Sequence, residues 1–280
     1  PEMLSTFHRT WFKPNNATLM AVGDITMEEL KPRLEAVFGR WAPGTTPVKP
    51  AEPGASRTKP TIYILDRPRA EQSILFAGQL VPPKTHADDV PFEAFNDAFG
   101  YAFGSRINMN LREDKHWSYG AFSFTFNSRG DRMWVAMAPV QADKTAEAMA
   151  ELSKEIRSAV GDRPLTAEEV SESRDRQIRS LAGRWETAHD VFHALDEIVT
   201  LGLPDDYYAA YPKKLRAVTP ETANSAAKKF IHPDQLVWVV VGDRQKIEPV
   251  IRALNLGEVQ LLEPEGAALT ARAQEGAKVR

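Results

Sequence analysis

The side chains whose spacing most directly suggests chemistry are two histidines one helical turn apart. In His189-Asp190-Val191-Phe192-His193 the imidazoles stand at i and i+4 on one helix face, and Glu197 follows one turn on. Three such donors can hold a zinc ion. A hydrolytic zinc helix also needs a general base between its histidines, and that residue is absent here. Neither H-E-x-x-H nor the reversed H-x-x-E-H occurs anywhere in the 280 residues. The expectation is therefore a helix flank with partly exposed histidines, and no metal bound by this chain. The remaining histidines are His8, His86, His116 and His232.

Other chemistry is narrowed by composition. The absence of cysteine removes disulfides, iron–sulfur clusters, thiolate zinc sites and a thiol nucleophile. Lys and Arg number 35 against 38 Asp and Glu, a net charge of −3 that lacks the single-sign field of a phosphate-binding protein, so no nucleic-acid partner is expected. Gly100 and Gly104 lack the G-x-G-x-x-G spacing of a phosphate loop. Arg67 and Arg69 read as a solvated turn, and Glu147, Glu151 and Glu155 as the wet face of a helix. The longest apolar stretch, Leu236 to Val241, is too short to span a bilayer. With 42% hydrophobic and 26% charged residues, the chain has the makings of a packed core.

The elements that must position any site follow from periodicity. Thr61 to Asp66 and Gln72 to Gln79 read as strands, and Val90 to Phe103 and Arg106 to Lys115 as helices separated by Gly104-Ser105. Ser118 to Phe126 and Met133 to Val140 read as a hairpin. Lys144 to Val160 is helical. A long helical region is expected from Thr166 to about Leu201, opened by a capping box at Thr166 and Glu169. Asp205 to Ala217 follows, then Pro220 to Phe230 with Thr219 as its cap, the strand from Leu236, and a helix over Lys246 to Leu254. Clustered strands favour an α+β fold, a mainly antiparallel sheet packed against helices.

One segment occurs twice. Trp11-Phe12-Lys13-Pro14 through Val22-Gly23-Asp24 and Phe230-Ile231-His232-Pro233 through Val241-Gly242-Asp243 both run from a helix end through proline and an apolar strand to Gly-Asp. The prolines and the glycines stand 219 residues apart, without a gap, and Pro1-Glu2 matches Pro220-Glu221 at that offset. A repeat of this length implies a unit of about 220 residues. On that reading residues 1–40 are the C-terminal piece of a first repeat domain whose front is missing, and 61–258 form a complete second one. Residues 41–60 are a proline-rich linker and 259–280 a flexible tail, plainest from Glu263. The strand Ala17 to Val22 would then lack its sheet neighbours and leave an exposed edge.

Leu111-Arg112-Glu113-Asp114-Lys115-His116-Trp117-Ser118-Tyr119-Gly120, with Gly104-Ser105-Arg106 before it and Arg69-Ala70-Glu71-Gln72-Ser73 upstream, resembles the pitrilysin/insulinase family of zinc metallopeptidases, the inverzincins. Together with the two Pro-to-Gly-Asp segments, the resemblance reaches to about residue 258. It implies a half-clam-shell domain with part of a preceding homologous domain. In that family two such halves enclose a peptide chamber. Zinc sits in the N-terminal half on an H-x-x-E-H helix, and an Arg and a Tyr seven positions apart in the C-terminal half complete the site. Carried over, these are Arg112 and Tyr119, substrate-binding or transition-state-stabilising residues, with no catalytic residue in this chain. On the expected strand Tyr119 shares its face with Ala121, Ser123 and Thr125, opposite Phe122, Phe124 and Phe126, so it leaves from the small, polar side.

The resemblance thus implies the zinc-free, substrate-binding C-terminal portion of a peptidase, inactive alone. Its partners would be a peptide and a zinc-bearing N-terminal half or partner subunit. A catalytically silent structural subunit and a free-standing peptide-binding module are the alternatives. The resemblance suggests the periplasm, while the residues leave the cytoplasm open.

Overall fold

Strands form where one alternating apolar run finds another beside it, and six runs do so among the described residues. The computed structural model describes residues 1–48 and 58–263, so the central part of the expected linker and the tail from 264 lie outside the described residues. The chain divides into two compact units, Pro1–Pro53 with Ser180–Pro204 and Gly54–Arg179 with Asp205–Arg280.

The larger unit is built on β1 (Thr61–Asp66), β2 (Gln72–Val81), β3 (Phe122–Phe126), β4 (Arg132–Gln141), β5 (Val237–Gly242) and β6 (Glu258–Leu262). They form a single sheet in the order β3-β4-β2-β5-β1-β6. From β3 to β5 the pairings are antiparallel, whereas β5-β1 and β1-β6 are parallel. The expected antiparallel character thus holds for one side of the sheet. The other is parallel because long stretches containing helices carry the chain back to β5 and β6 in the direction of β1. The sixth strand takes in residues 259–262, which the sequence places in the tail.

Helices cover one sheet face. Ile62, Ile64, Leu75, Ala77, Trp134, Ala136, Trp238 and Val240 point into it and are buried. Over them lie Phe92, Phe95 and Phe99, Met149 and Leu152, Ala227 and Phe230, and Ile247 and Ile251. These come from α3 (Asp89–Asn96) and the π-helical turn Asp97–Tyr101 that continues it, from α5 (Thr145–Val160), α9 (Pro220–Phe230) and α10 (Arg244–Ala253). The turn lies close on β3. A Cβ on Gly100 would stand 2.2 Å from Ser123 Oγ, so only glycine fits. Gly242 has the same role beside Ser73, whose Oγ would be 2.5 Å from an added Cβ, and the next residue, Asp243, caps α10 by accepting from Gln245 N at 3.2 Å.

Two networks pair most of the buried polar atoms in this layer, although Asp89 Oδ2 is left without a hydrogen-bond partner among the described residues. Asn96 Oδ1 accepts from Ser123 Oγ at 2.6 Å and from Trp134 Nε1 at 2.8 Å. Arg132 is fully buried and donates to Asp89 at 2.5 Å, Glu93 at 2.9 Å and Pro82 O at 3.0 Å. Burial and the Glu93 charge raise the Asp89 carboxyl to about 7 despite that guanidinium.

The long helical region expected from Thr166 to about Leu201 is built of separate helices. A first helix, α6 (Ala167–Ser180), begins at the foreseen capping box, with Thr166 N donating to Glu169 at 2.7 Å and Glu169 N to Thr166 Oγ1 at 3.2 Å. A 3-10 turn, Ala182–Trp185, follows, and Thr187 caps a new helix, α7 (Ala188–Leu201), ended by Gly202 at φ 66°. α8 (Tyr207–Arg216) returns the chain to the larger unit.

The smaller unit holds α7, α1 (Glu2–Trp11), a 3-10 turn Pro14–Asn16, and α2 (Met27–Phe38), which opens on a Thr26/Glu29 capping box. Residues 17–22 form no strand. No residue of α1 or α2 is buried, and α7 buries only Ala194 and Leu201. Ser180–Pro204, expected within the second domain, therefore groups with the N-terminal residues.

Candidate substrate-binding site

The segment between α4 (Arg106–Asn108) and β3 carries both predicted site residues. α4 continues as a second π-helical turn, Met109–Asp114, so the expected helix from Arg106 is wound irregularly over most of its length. Arg106 anchors its start. The guanidinium meets Glu169 at 2.5 and 2.6 Å and Pro164 O at 2.8 Å, tying this helix to the cap of α6. Burial tends to raise Glu169, but the Arg106 pair and the Thr166 bonds outweigh it and hold the carboxyl below its usual range. Asn110 anchors the second turn by donating to Glu151 at 2.9 Å and Glu155 at 2.8 Å. The expected wet face of α5 is thereby corrected: Glu155 is buried, with Arg163 as a further partner. At Glu151 burial acts upward, while Asn110 and Lys154 bring the carboxyl below its ordinary value.

Arg112 sits near the end of this turn. Its Nε lies 3.1 Å from Glu113, and its guanidinium carbon is 4.6 Å from the centre of the Phe103 ring. The chain then reverses at His116, at φ 55°, with Trp117 N donating to Leu111 O at 3.0 Å. Tyr119 follows, 87% exposed.

The backbone on either side of Tyr119 is fixed. Ser118 bridges to Val140 in antiparallel fashion, and its Oγ lies 2.5 Å from Pro139 O and accepts from Gly120 N at 3.1 Å. Fully buried Asn108 accepts from Ala121 N at 3.1 Å and donates to Phe103 O at 2.6 Å. One amide thus holds both the residue that stacks on Arg112 and the loop that presents Tyr119. Asn108 was not singled out in the sequence; its only signal is an asparagine inside an otherwise helical stretch.

Tyr119 precedes β3 and is not on it, because only Ser118 of the expected 118–121 stretch reaches β4. The face assignment is also reversed. Ala121 and Ser123 are buried under the helices, and the phenylalanines take the open side of the sheet. There Phe76, Leu80, Phe124, Phe126, Met133 and Val239 help to line a groove of about 740 Å³. The alternation holds, but small residues fill the close-packed side here because the turn at Gly100 leaves no room for large ones.

Among the described residues no group of three or more His, Asp or Glu is placed to hold an ion. No described helix is long and apolar enough to cross a membrane.

The sequence pattern of the family described as Peptidase M16 inactive domain matches residues 1–177. A structure of that inactive domain from Pseudomonas fluorescens has a similar fold, with a TM-score of 0.70, 18% identity, and coverage of 79% of this chain and 52% of that one. A protease from Helicobacter pylori gives a TM-score of 0.73 at 15% identity, covering 86% of this chain and 58% of the other. The periplasmic protease PqqL from Escherichia coli gives 0.67 at 13%, with 96% of this chain matching 32% of that one. The chain thus spans about half the length of the first two of these structures and about a third of the last. No curated protein matches it.

Proposed function

This chain belongs to the peptidase M16 family as its inactive, C-terminal domain, and on that premise we propose that it is the substrate-binding, zinc-free portion of a pitrilysin-like zinc metallopeptidase. Zinc would be carried by an N-terminal half or a partner subunit, and would supply the activated water there. A peptide held in an enclosed chamber would be the substrate. Residues 1–40 would complete a first repeat domain and 61–258 form the second.

The observation that carries this reading is a contrast within four residues. Ser118, Gly120 and Ala121 are tied by hydrogen bonds, yet the Tyr119 side chain between them is 87% exposed. An aromatic ring so exposed on a pinned backbone contributes little to folding, which leaves recognition as its use. Arg112 is similarly offered: Glu113 and Phe103 orient it while more than a third of its surface stays in solvent. A carbonyl oxygen gathers negative charge as its carbon becomes tetrahedral. A guanidinium and a phenol donating to it lower the barrier, or hold neighbouring carbonyls in place.

Arg112→Ala is expected to reduce turnover by the whole zinc-containing protein or complex about 10²-fold, the scale for losing one oxyanion donor. Turnover at the wild-type level overturns the assignment. A catalytically silent subunit is the alternative reading. An immunoblot of source cells separates the two readings. A band two to three times heavier than 31.2 kDa supports a one-chain peptidase, and a band near that mass supports the partner subunit.

A further inference from the structure

We propose that His189 and His193 form a two-nitrogen chelate for a borderline divalent transition-metal ion, with Cu²⁺ the tightest, independently of any peptidase role. The expectation from sequence is a metal-free helix flank; the geometry of the two rings points the other way. Thr187 fixes the start of α7 by accepting from Asp190 N at 3.1 Å, which places both histidines on the first two turns of one face. Their Nε2 atoms lie 3.0 Å apart, with ring centres 4.3 Å apart and planes at 88°.

That separation is what a shared ion requires. Two imidazole nitrogens bound at about 2.0–2.1 Å in adjacent positions of a square-planar or tetrahedral ion lie about 2.8–3.4 Å apart. The spacing of the two nitrogens is therefore already that of a chelate. Both are exposed, and no other hydrogen bond is formed by either Nε2 among the described residues. In the metal-free pair one Nε2–H donates and the other nitrogen accepts. Binding moves the donor's proton to its own Nδ1, so both Nε2 lone pairs face the ion, with no change in oxidation state and no net proton lost.

The remaining positions fall to water or an outside ligand. Glu197, one turn on, is engaged by Arg184 at 3.1 Å and is mostly buried, which keeps the site bidentate. Nitrogen donors exclude Mg²⁺ and Ca²⁺, and the absence of cysteine excludes thiolate-selected ions, so the order of divalent affinities favours Cu²⁺ over Zn²⁺. The ion would clamp the first turns of α7, a helix that buries only Ala194 and Leu201.

The test titrates the 280-residue chain, and its His189→Gln and His193→Gln variants, with Cu²⁺ alone, reading calorimetry and the nitrogen hyperfine pattern of the electron paramagnetic resonance spectrum. The expected result is one Cu²⁺ per chain with two equatorial imidazoles. Each variant should lose one of them and weaken binding about tenfold or more. Because both side chains are exposed, circular dichroism should be unchanged in the variants. Hydrogen exchange gives a second reading: Cu²⁺ should slow exchange of the α7 amides in the parent chain and in neither variant. Unchanged affinity and spectrum in either variant, no two-nitrogen signal in the parent, or binding that leaves α7 exchange unaltered would each overturn the proposal.

Discussion

Residues 2–24 and 221–243 are two renderings of one sequence plan, and they differ in company more than in chemistry. Their helices, Glu2–Trp11 and Pro220–Phe230, end 219 residues apart, as do the 3-10 turns Pro14–Asn16 and Pro233–Gln235. Beyond the turns they part. Residues 237–242 pair with β1 on one side and β2 on the other, while residues 17–22 form no strand. Ala226 of α9 is 2% exposed, whereas Phe7, its counterpart in α1, is 56% exposed. A helix satisfies its backbone within itself, so α1 forms although none of its residues is buried. A strand satisfies its backbone only through other strands, so the first copy has the pattern of a strand without becoming one.

Substitution at matched sites puts this contrast to the test. Trp238 is 2% exposed in β5, and its counterpart 219 residues earlier, Leu19, is 52% exposed. Trp238→Ala is expected to cost about 3–5 kcal/mol in urea unfolding, and Leu19→Ala within about 0.5 kcal/mol. Comparable losses would mean that Leu19 has a packed environment after all. A smaller effect is expected at the glycines. Gly242→Ala drives a methyl to 2.5 Å from buried Ser73 Oγ and should cost about 1–3 kcal/mol, while Gly23, with nothing within 4 Å, should accept alanine almost silently.

Acid should act most gently, and through the larger unit. The folded Glu169 carboxyl lies below its ordinary value of 4.5, so its contribution is full above that pH and is lost as the pH falls through the lowered value. Melting temperature should therefore drop on acidification below about 4.5, less steeply in Glu169→Gln. Equal slopes for parent and variant would show that the Arg106–Glu169 pair does not contribute.

The sequence discloses elements whose causes are local. β1 has the expected bounds, β2 runs two residues further, and the caps at Thr166 and Thr219 form as written. It hides features settled by packing at a distance. The π-helical turns at Asp97–Tyr101 and Met109–Asp114 leave no sign in a 3.6-residue pattern. Glu155 looks like a surface residue until Asn110 and Arg163 are seen to reach it. At the candidate site the motif located Arg112 and Tyr119. The fixed loop around Tyr119 depends on Asn108, whose partners Phe103 and Ala121 are joined only by the fold.

The strand order also sets a timetable. β1 and β2 are neighbours in sequence but are separated in the sheet by β5, which pairs Val237 with Thr61. During synthesis at about 5–20 residues per second, the ribosome needs roughly ten to thirty seconds after finishing β2 to deliver that strand. Throughout that interval the nascent sheet keeps a central gap with two unsatisfied edges, and any chaperone that attends this protein has its work defined by that wait.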